Sequence, residues 1–177
     1  MNKPIICVFA TDEKMGFAKD GKIPWYLGDD RVFFKDLTTR TYDPDKQNAV
    51  IMGRRTWEDL PEKFRPLKGR VNVVLTKDYM YNSDRFEGAD YRFSCLNEAV
   101  EALSADSRIE SIFMIGGEKL LREAFLLPNC RLVVQSIIPG EYDCDQFLRA
   151  PADFKLTEMS PVGPMTVFWL VKDVDGN

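Results

Sequence analysis

The sequence predicts a single α/β domain over residues 1–177: a predominantly parallel, mixed central sheet of about eight strands, flanked by helices, with an antiparallel hairpin at its C-terminal edge. Three observations carry this prediction. Short apolar runs rich in β-branched residues alternate with helix-length segments along most of the chain, the signature of strands joined by helical crossovers. The 177 residues, 45% of them hydrophobic, suit one sizeable core and are too few for two ordinary domains. Near the end, two strand-like runs meet at the turn-forming stretch Pro161-Val162-Gly163-Pro164.

Residues 4–10 read as a buried strand, and Asp29-Asp30 opens a helix over 29–38, acids being favoured in a first turn. Ala49-Val50-Ile51-Met52 lies in a strand over 48–52, which Gly53 turns into a short helix over 54–60. Val71-Asn72-Val73-Val74-Leu75 is a strand, 97–103 a helix, 111–115 a strand, 118–126 a helix and 131–138 a strand. The hairpin pairs 154–160 with 165–172. Neither an internal repeat nor an interdomain linker interrupts the pattern.

Composition removes several function classes. With 24 basic and 28 acidic residues the net charge is −4, and the charges are interspersed, so no basic stripe for nucleic acid exists. The N-terminal apolar stretch is too short for a secretory signal, and no run reaches membrane-spanning length; a cytoplasmic protein is expected. Histidine is absent and Cys7, Cys95, Cys130 and Cys144 are widely spaced, which removes zinc, Ser-His-Asp and Cys-His chemistry and leaves buried reduced thiols as the expectation.

The chemistry points first to a phosphate. In Gly53-Arg54-Arg55-Thr56-Trp57 two arginines enter the first turn of a helix, where cations oppose the dipole and an outside anion would relieve them. Gly16-Phe17-Ala18-Lys19-Asp20-Gly21-Lys22 has the spacing of a nucleoside-triphosphate loop, but Ile23 replaces the magnesium-binding hydroxyl and Pro24 prevents a following helix. A mobile Gly- and Lys-rich loop is the better reading. Gly116-Gly117 follows a strand and opens a helix, which suits either a plain turn or close approach of a diphosphate. In such sheets ligands sit beyond the carboxyl ends of the strands, where Gly53 and Gly116 fall. Asp29 needs no explanation beyond its helix start, whereas Asp30 shares a face with Phe34, so its carboxylate meets apolar surface and either a ligand or the fold must satisfy it.

These pieces, in order, resemble dihydrofolate reductase: Ile23-Pro24-Trp25, Asp30 with Phe34 one turn on, Val50 to Glu58, Leu67-Lys68-Gly69-Arg70 before a strand, and Met114-Ile115-Gly116-Gly117. The resemblance implies hydride transfer from NADPH to 7,8-dihydrofolate in a monomeric, metal-free enzyme. It makes Asp30 and Trp25 the catalytic pair, the first holding the pterin ring and favouring its protonation, the second holding water beside it. Ile6, Val8, Phe34, Leu60, Leu67 and Ile115 match the wall of the pterin and p-aminobenzoyl pocket, all residues that would otherwise be read as core. Arg31, Lys35 and Arg65 are further substrate-binding positions on the same basis, and Arg70 matches the clamp on the α-carboxylate of the substrate glutamate. Cofactor positions on the same basis are Val8, Lys14, Met15, Gly16, Phe17, Ala18 and Ile23 in and around an active-site lid. Gly53, Arg54, Arg55, Thr56, Leu75, Thr76, Lys77 and Ser94 follow, then Gly116, Gly117, Glu118, Lys119, Leu120 and Leu121 along a helix start. Basic groups around a 2′-phosphate select NADP over NAD. A cis peptide is implied between Gly116 and Gly117.

The chain departs from the family pattern at four places. Arg31 stands where an apolar residue usually meets the p-aminobenzoyl ring; its head is expected either toward the substrate glutamate or on a nearby acid. Gln135 falls where a threonine links the acid to the pterin amine, with Ser136 adjacent should the register slip. Leu121 replaces a frequent tyrosine, and the loop from Thr39 to Gln47 is long. Two other readings stay open: a pyrimidine reductase of the same fold, which has no use for Asp30 and Arg70, and a binding protein that kept the pocket.

Overall fold

A computed structural model describes residues 3–77 and 83–176. The elements are β1 (Ile5–Thr11), β2 (Gly16–Ala18), α1 (Gly28–Thr39), β3 (Gln47–Gly53), α2 (Arg54–Asp59), β4 (Val71–Leu75) and β5 (Tyr91–Phe93), then α3 (Leu96–Ala105), β6 (Ile109–Gly116), α4 (Glu118–Phe125), β7 (Cys130–Ile137), β8 (Gln146–Phe147), β9 (Phe154–Val162) and β10 (Met165–Lys172). Eight strands form one sheet in the order β5-β4-β3-β6-β1-β7-β10-β9. The pairings from β5 to β7 are parallel, while β10 and β9 add an antiparallel edge. The predicted class and terminal hairpin therefore form. Strands β2, β5 and β8 are the ones the sequence hides, since two or three residues are too few for a period to show.

Alternation along the strands divides the apolar residues between two cores. Ile5, Cys7 and Phe9 of β1 join Ile51, Val73, Met114 and Val133 beneath α3 and α4. Val8 joins Val50, Met52, Phe113 and Val134 on the opposite face, with Ile6 and Ala10 packed against that cluster, and there α1 lays down Phe33, Phe34 and Leu37 while α2 buries Trp57 completely. Both faces of the parallel part are covered, which explains strands that read as continuous hydrophobic runs.

Two asparagines interrupt those runs, and both are buried. Asn48 donates to the Thr38 and Arg40 carbonyls at 3.0 and 2.8 Å and accepts from the Ser111 amide at 3.2 Å, which ties the end of α1 to β3 and β6. Asn72 donates to the carbonyls of Leu67 and Arg70, both at 2.9 Å, and accepts from the Leu67 amide at 2.9 Å. Each satisfies backbone groups that leave the sheet or helix without regular partners.

The loop after β1 is no phosphate cradle. Lys19 and Lys22 exchange backbone hydrogen bonds across Asp20 and Gly21, whose φ values of 51° and 78° make a hairpin turn. Beside it, β2 pairs with β8. The cysteines also differ from expectation. Cys7 and Cys130 are buried with sulfurs 3.5 Å apart, but Cys95 is exposed and Cys144 half-buried, because both lie in loops beyond the sheet.

Replacing Asn48 with Ala should lower unfolding stability by about 1–3 kcal/mol, the cost of leaving buried polar groups without partners. A denaturant titration reads this directly, and an unchanged midpoint would contradict the tie between α1 and the sheet.

Candidate active site

Gly53, Leu75 and Gly116 end the parallel strands β3, β4 and β6, whereas Asp30 and Phe34 stand on α1 and Arg70 just before β4. On α1, Asp30, Phe34 and Thr38 recur every fourth residue and share a face, a candidate groove that spans about 12 Å from the first to the last. Phe34, Leu60 and Ile6 pack against the same apolar cluster as Val8, Leu67, Ile115 and Trp25. The expected wall residues thus form one surface. Trp25 is buried and meets the Tyr142 ring edge-to-face, with centroids 5.5 Å apart.

A charge closes each end of the groove. Burial pushes the Asp30 carboxyl up to about 6, because water is withdrawn from its ionised form. At the other end Arg70 is buried, donating through Nη1 to the Thr38 hydroxyl at 3.0 Å and through Nε to the Lys68 carbonyl at 3.0 Å. Its guanidinium lies over Phe34, 6.0 Å from the ring centroid, and burial lowers its pKa. Among the described residues no carboxylate pairs with it. Its buried charge is therefore met only by neutral groups.

Arg31 does not pair with an acid among the described residues. Its Nη1 donates to the Tyr26 hydroxyl at 2.6 Å, and the guanidinium lies over the Tyr26 and Phe64 rings at 5.0 and 4.4 Å. Aromatic faces therefore hold it instead of an acid. Arg65 likewise turns to Trp57, bonding its carbonyl at 3.3 Å, and Lys35 is exposed.

The second set of residues meets at the ends of β3 and β6. A Cβ on Gly53 would come within 3.9 Å of the Gly116 carbonyl and the Gly117 amide. A Cβ on Gly116, whose φ is +123°, would lie 3.6 Å from the Thr56 hydroxyl. The Gly116–Gly117 peptide is cis. Bare backbone here forms a floor that side chains would fill. Arg54 and Arg55 open α2 directly after Gly53. The inference that both need an outside anion holds less well for Arg54, which pairs with Glu58 one turn on at 3.6 Å, in competition with Arg85. Arg55 is exposed and has no ion-pair partner among the described residues. Thr76 is buried where β4 ends, Lys77 is exposed beside it, and Ser94 donates to Glu98 at 3.3 Å.

Several expected contacts need correction. The pleat sets Gln135 beside Phe9 on the α4 face, where its Nε2 donates to the Thr11 hydroxyl at 2.9 Å and approaches the Met15 sulfur at 3.2 Å. It cannot link Asp30 to a ligand on the α1 face; Ser136, paired with Ala10, points there instead. Leu120 and Leu121 are buried in the core beneath α4, so their side chains cannot serve a cofactor. Phe17 and Ala18 are also turned inward, Phe17 against Phe9 with centroids 6.3 Å apart, leaving only their backbone available. Leu75 is half-buried at the end of β4 and packs against that core, Glu118 pairs with Arg122 at 2.8 Å, and Lys119 and Ile23 are exposed. Lys14 pairs with Glu141 at 3.1 Å.

A family model described as dihydrofolate reductase matches residues 4–162. The chain belongs to the dihydrofolate reductase family. A dihydrofolate reductase of Heliothis virescens is 37% identical over 140 residues, 79% of this chain and 76% of that one. A bifunctional dihydrofolate reductase-thymidylate synthase of Arabidopsis thaliana is 44% identical over 144 residues, 80% of this chain. The chain spans only 25% of the length of that bifunctional relative. Among solved structures, Schistosoma mansoni dihydrofolate reductase has a TM-score of 0.77 at 29% identity, covering 98% of this chain and 100% of its own.

Within this family fold, sequence reasoning missed Tyr26, Thr38, Phe64, Asn72 and Tyr142. Asn72 alone left a signal, an amide inside the apolar run Val71 to Leu75. It braces the loop that carries Arg70.

Asp30 also sets a stability trend. Its folded pKa lies above the ordinary carboxylate value of about 4, so the folded protein holds a proton that the unfolded chain has released. Stability from this group is therefore present below pH about 4 and is lost as pH rises through about 6. Asp30→Asn should flatten that decline and be no less stable than the parent at neutral pH. Denaturant unfolding across this interval checks it, and a variant with the parental slope would contradict the assignment.

Proposed function

We propose that this chain reduces 7,8-dihydrofolate to 5,6,7,8-tetrahydrofolate with NADPH, as a cytoplasmic monomer serving one-carbon and thymidylate metabolism, and that antifolates compete in the same groove. The observation that carries the reading is the groove on α1: a lone carboxylate, an aromatic ring and a buried guanidinium set along about 12 Å. A ligand matching it has N–H donors at one end, a flat aromatic middle and a carboxylate at the other. Dihydrofolate is such a molecule. A pyrimidine substrate without a charged tail would leave Arg70 unanswered.

Asp30 in this reading accepts hydrogen bonds from the pterin ring nitrogen and exocyclic amine, which favour its ionised form against the burial that raises its pKa. The resulting negative charge stabilises a proton on the pterin as the ring is reduced. Trp25, braced by Tyr142, holds water next to that acid. Ile6, Val8, Phe34, Leu60, Leu67, Ile115 and Ser136 exclude bulk water and orient the ring system. Arg70 clamps the α-carboxylate of the tail in a bidentate pair, and Thr38 and Lys68 keep its fork aligned.

The residues at the ends of β3 and β6 fit a dinucleotide phosphate. Three glycines leave backbone open to close approach, Thr56 offers a hydroxyl beside them, and Arg54, Arg55 and Lys77 supply positive charge for a 2′-phosphate. NADPH supplies the hydride when bound. No helix among the described residues is long and apolar enough to cross a membrane.

Following NADPH absorbance with dihydrofolate tests the reading directly; no decay at saturating substrate would defeat it. Asp30→Asn should lower kcat at neutral pH by roughly 10²–10⁴-fold and recover part of it in acid, where the substrate is already protonated. A pH-independent loss would rule out the electrostatic role. NADH should serve much less well than NADPH, and equal rates would contradict the phosphate contacts of Arg54, Arg55 and Lys77.

A further inference from the structure

Asp12 lies just past the end of β1 and is almost fully buried at 2% exposure, yet nothing in the chemistry above uses it. Its Oδ1 accepts from the Lys14 and Gly16 amides at 2.9 and 2.8 Å. Between these two stands Met15, whose φ of 63° lies in the left-handed region that a side chain disfavours. Its Oδ2 accepts from the Tyr142 amide at 3.0 Å and faces the Cys144 sulfur at 3.6 Å. One carboxylate therefore joins the segment entering β2 to the loop that follows β7. The fit is tight, since a Cβ on Gly16 would fall 2.6 Å from the Cys144 Cβ and 2.8 Å from Asp12 Oδ2. Tyr142 in turn presses its ring edge-to-face on Trp25.

Burial works against the ionised form of Asp12, but the Tyr142, Gly16 and Lys14 amides and the Cys144 thiol outweigh it and hold its pKa below the ordinary value. Burial and the adjacent carboxylate keep the Cys144 thiol above its own, so it remains a donor. Exposed ties elsewhere on the segment, Lys14 to Glu141 and Lys19 to Asp143, are of the kind worth little.

We propose that Asp12 is a positioning residue for the reductase site, with one oxygen fixing the backbone of residues 14–16 against the cofactor side and the other holding Tyr142 behind Trp25 on the substrate side. The proposal rests on the dihydrofolate reductase reading for its catalytic consequence and on geometry alone for the clamp.

Asp12→Asn keeps the shape but turns one acceptor into a donor, so one arm must open. Amide hydrogen exchange on the protein alone should accelerate by about tenfold or more at Lys14 and Gly16, or at Tyr142, while β3 and β4 stay protected. Turnover should fall by about tenfold; the KM for NADPH should rise where exchange accelerates at Lys14 and Gly16 and stay parental where it accelerates at Tyr142, and the KM for dihydrofolate should stay within about twofold of the parent in either case, because Arg70 and α1 are untouched. Tyr142→Leu removes the ring but keeps the amide bond, and should lower kcat without moving the KM for NADPH. Glu141→Gln should change none of these. Parental exchange in Asp12→Asn overturns the clamp, and so does a loss of kcat and both KM values that merely follows a lowered melting temperature. Unchanged kcat in Tyr142→Leu overturns the Trp25 arm. If the unsubstituted chain oxidises no NADPH, the functional reading fails while the exchange data still decide the clamp.

Discussion

Strand β1 is the constraint on which the rest depends. It lies between β6 and β7 in parallel register, with Cys7 beside Met114 on one side and Val133 on the other. Its odd residues feed the core beneath α3 and α4, and its even ones the core beneath α1. Because the strand has no spare face, its register fixes both layers at once. The same seven residues deliver the chain directly to Asp12 and the segment that follows, so the strand that packs both cores also sets the position of that segment.

The groove on α1 is built against the rules that stabilise the remainder. A desolvated carboxylate at one end and an unpaired buried guanidinium at the other both weaken the protein standing alone, and Phe34 between them is only half covered. Such groups persist where a ligand satisfies them better than the fold does. The contrast with Asp12 is instructive. Four donors surround that acid and its pKa moves down, while burial moves that of Asp30 up. Two aspartates thus divide into a structural anion and a responsive one by the balance of hydrogen bonding against burial.

The sequence disclosed what depends on period and order. Continuous apolar runs named the parallel strands, and the four-residue spacing put Asp30 and Phe34 on one face, whereas Arg70 was reached only through the family resemblance. What it concealed depends on pairing between distant residues. Gln135 and Ser136 exchange faces through a bulge between Cys130 and Leu132 opposite Ile5 and Ile6, which no local pattern reports. Arg31 looked free to reach an acid, but Phe64, over thirty positions later in the chain, receives it. The grip of Asp12 on Tyr142 spans 130 positions, so neither residue advertises the other.

The strand order also governs how the chain must assemble. β1 is made first but pairs with β6 and β7, so Ile5 waits for Ile112 and Cys130 before either neighbour exists. The centre of the sheet is completed late, and loops of more than a hundred residues must close to complete it. On the ribosome the first strand emerges with two unpaired edges and apolar residues on both sides, and it remains so until most of the domain has been made. The arrangement that pairs both edges of β1 in the finished protein leaves both edges waiting in the nascent one.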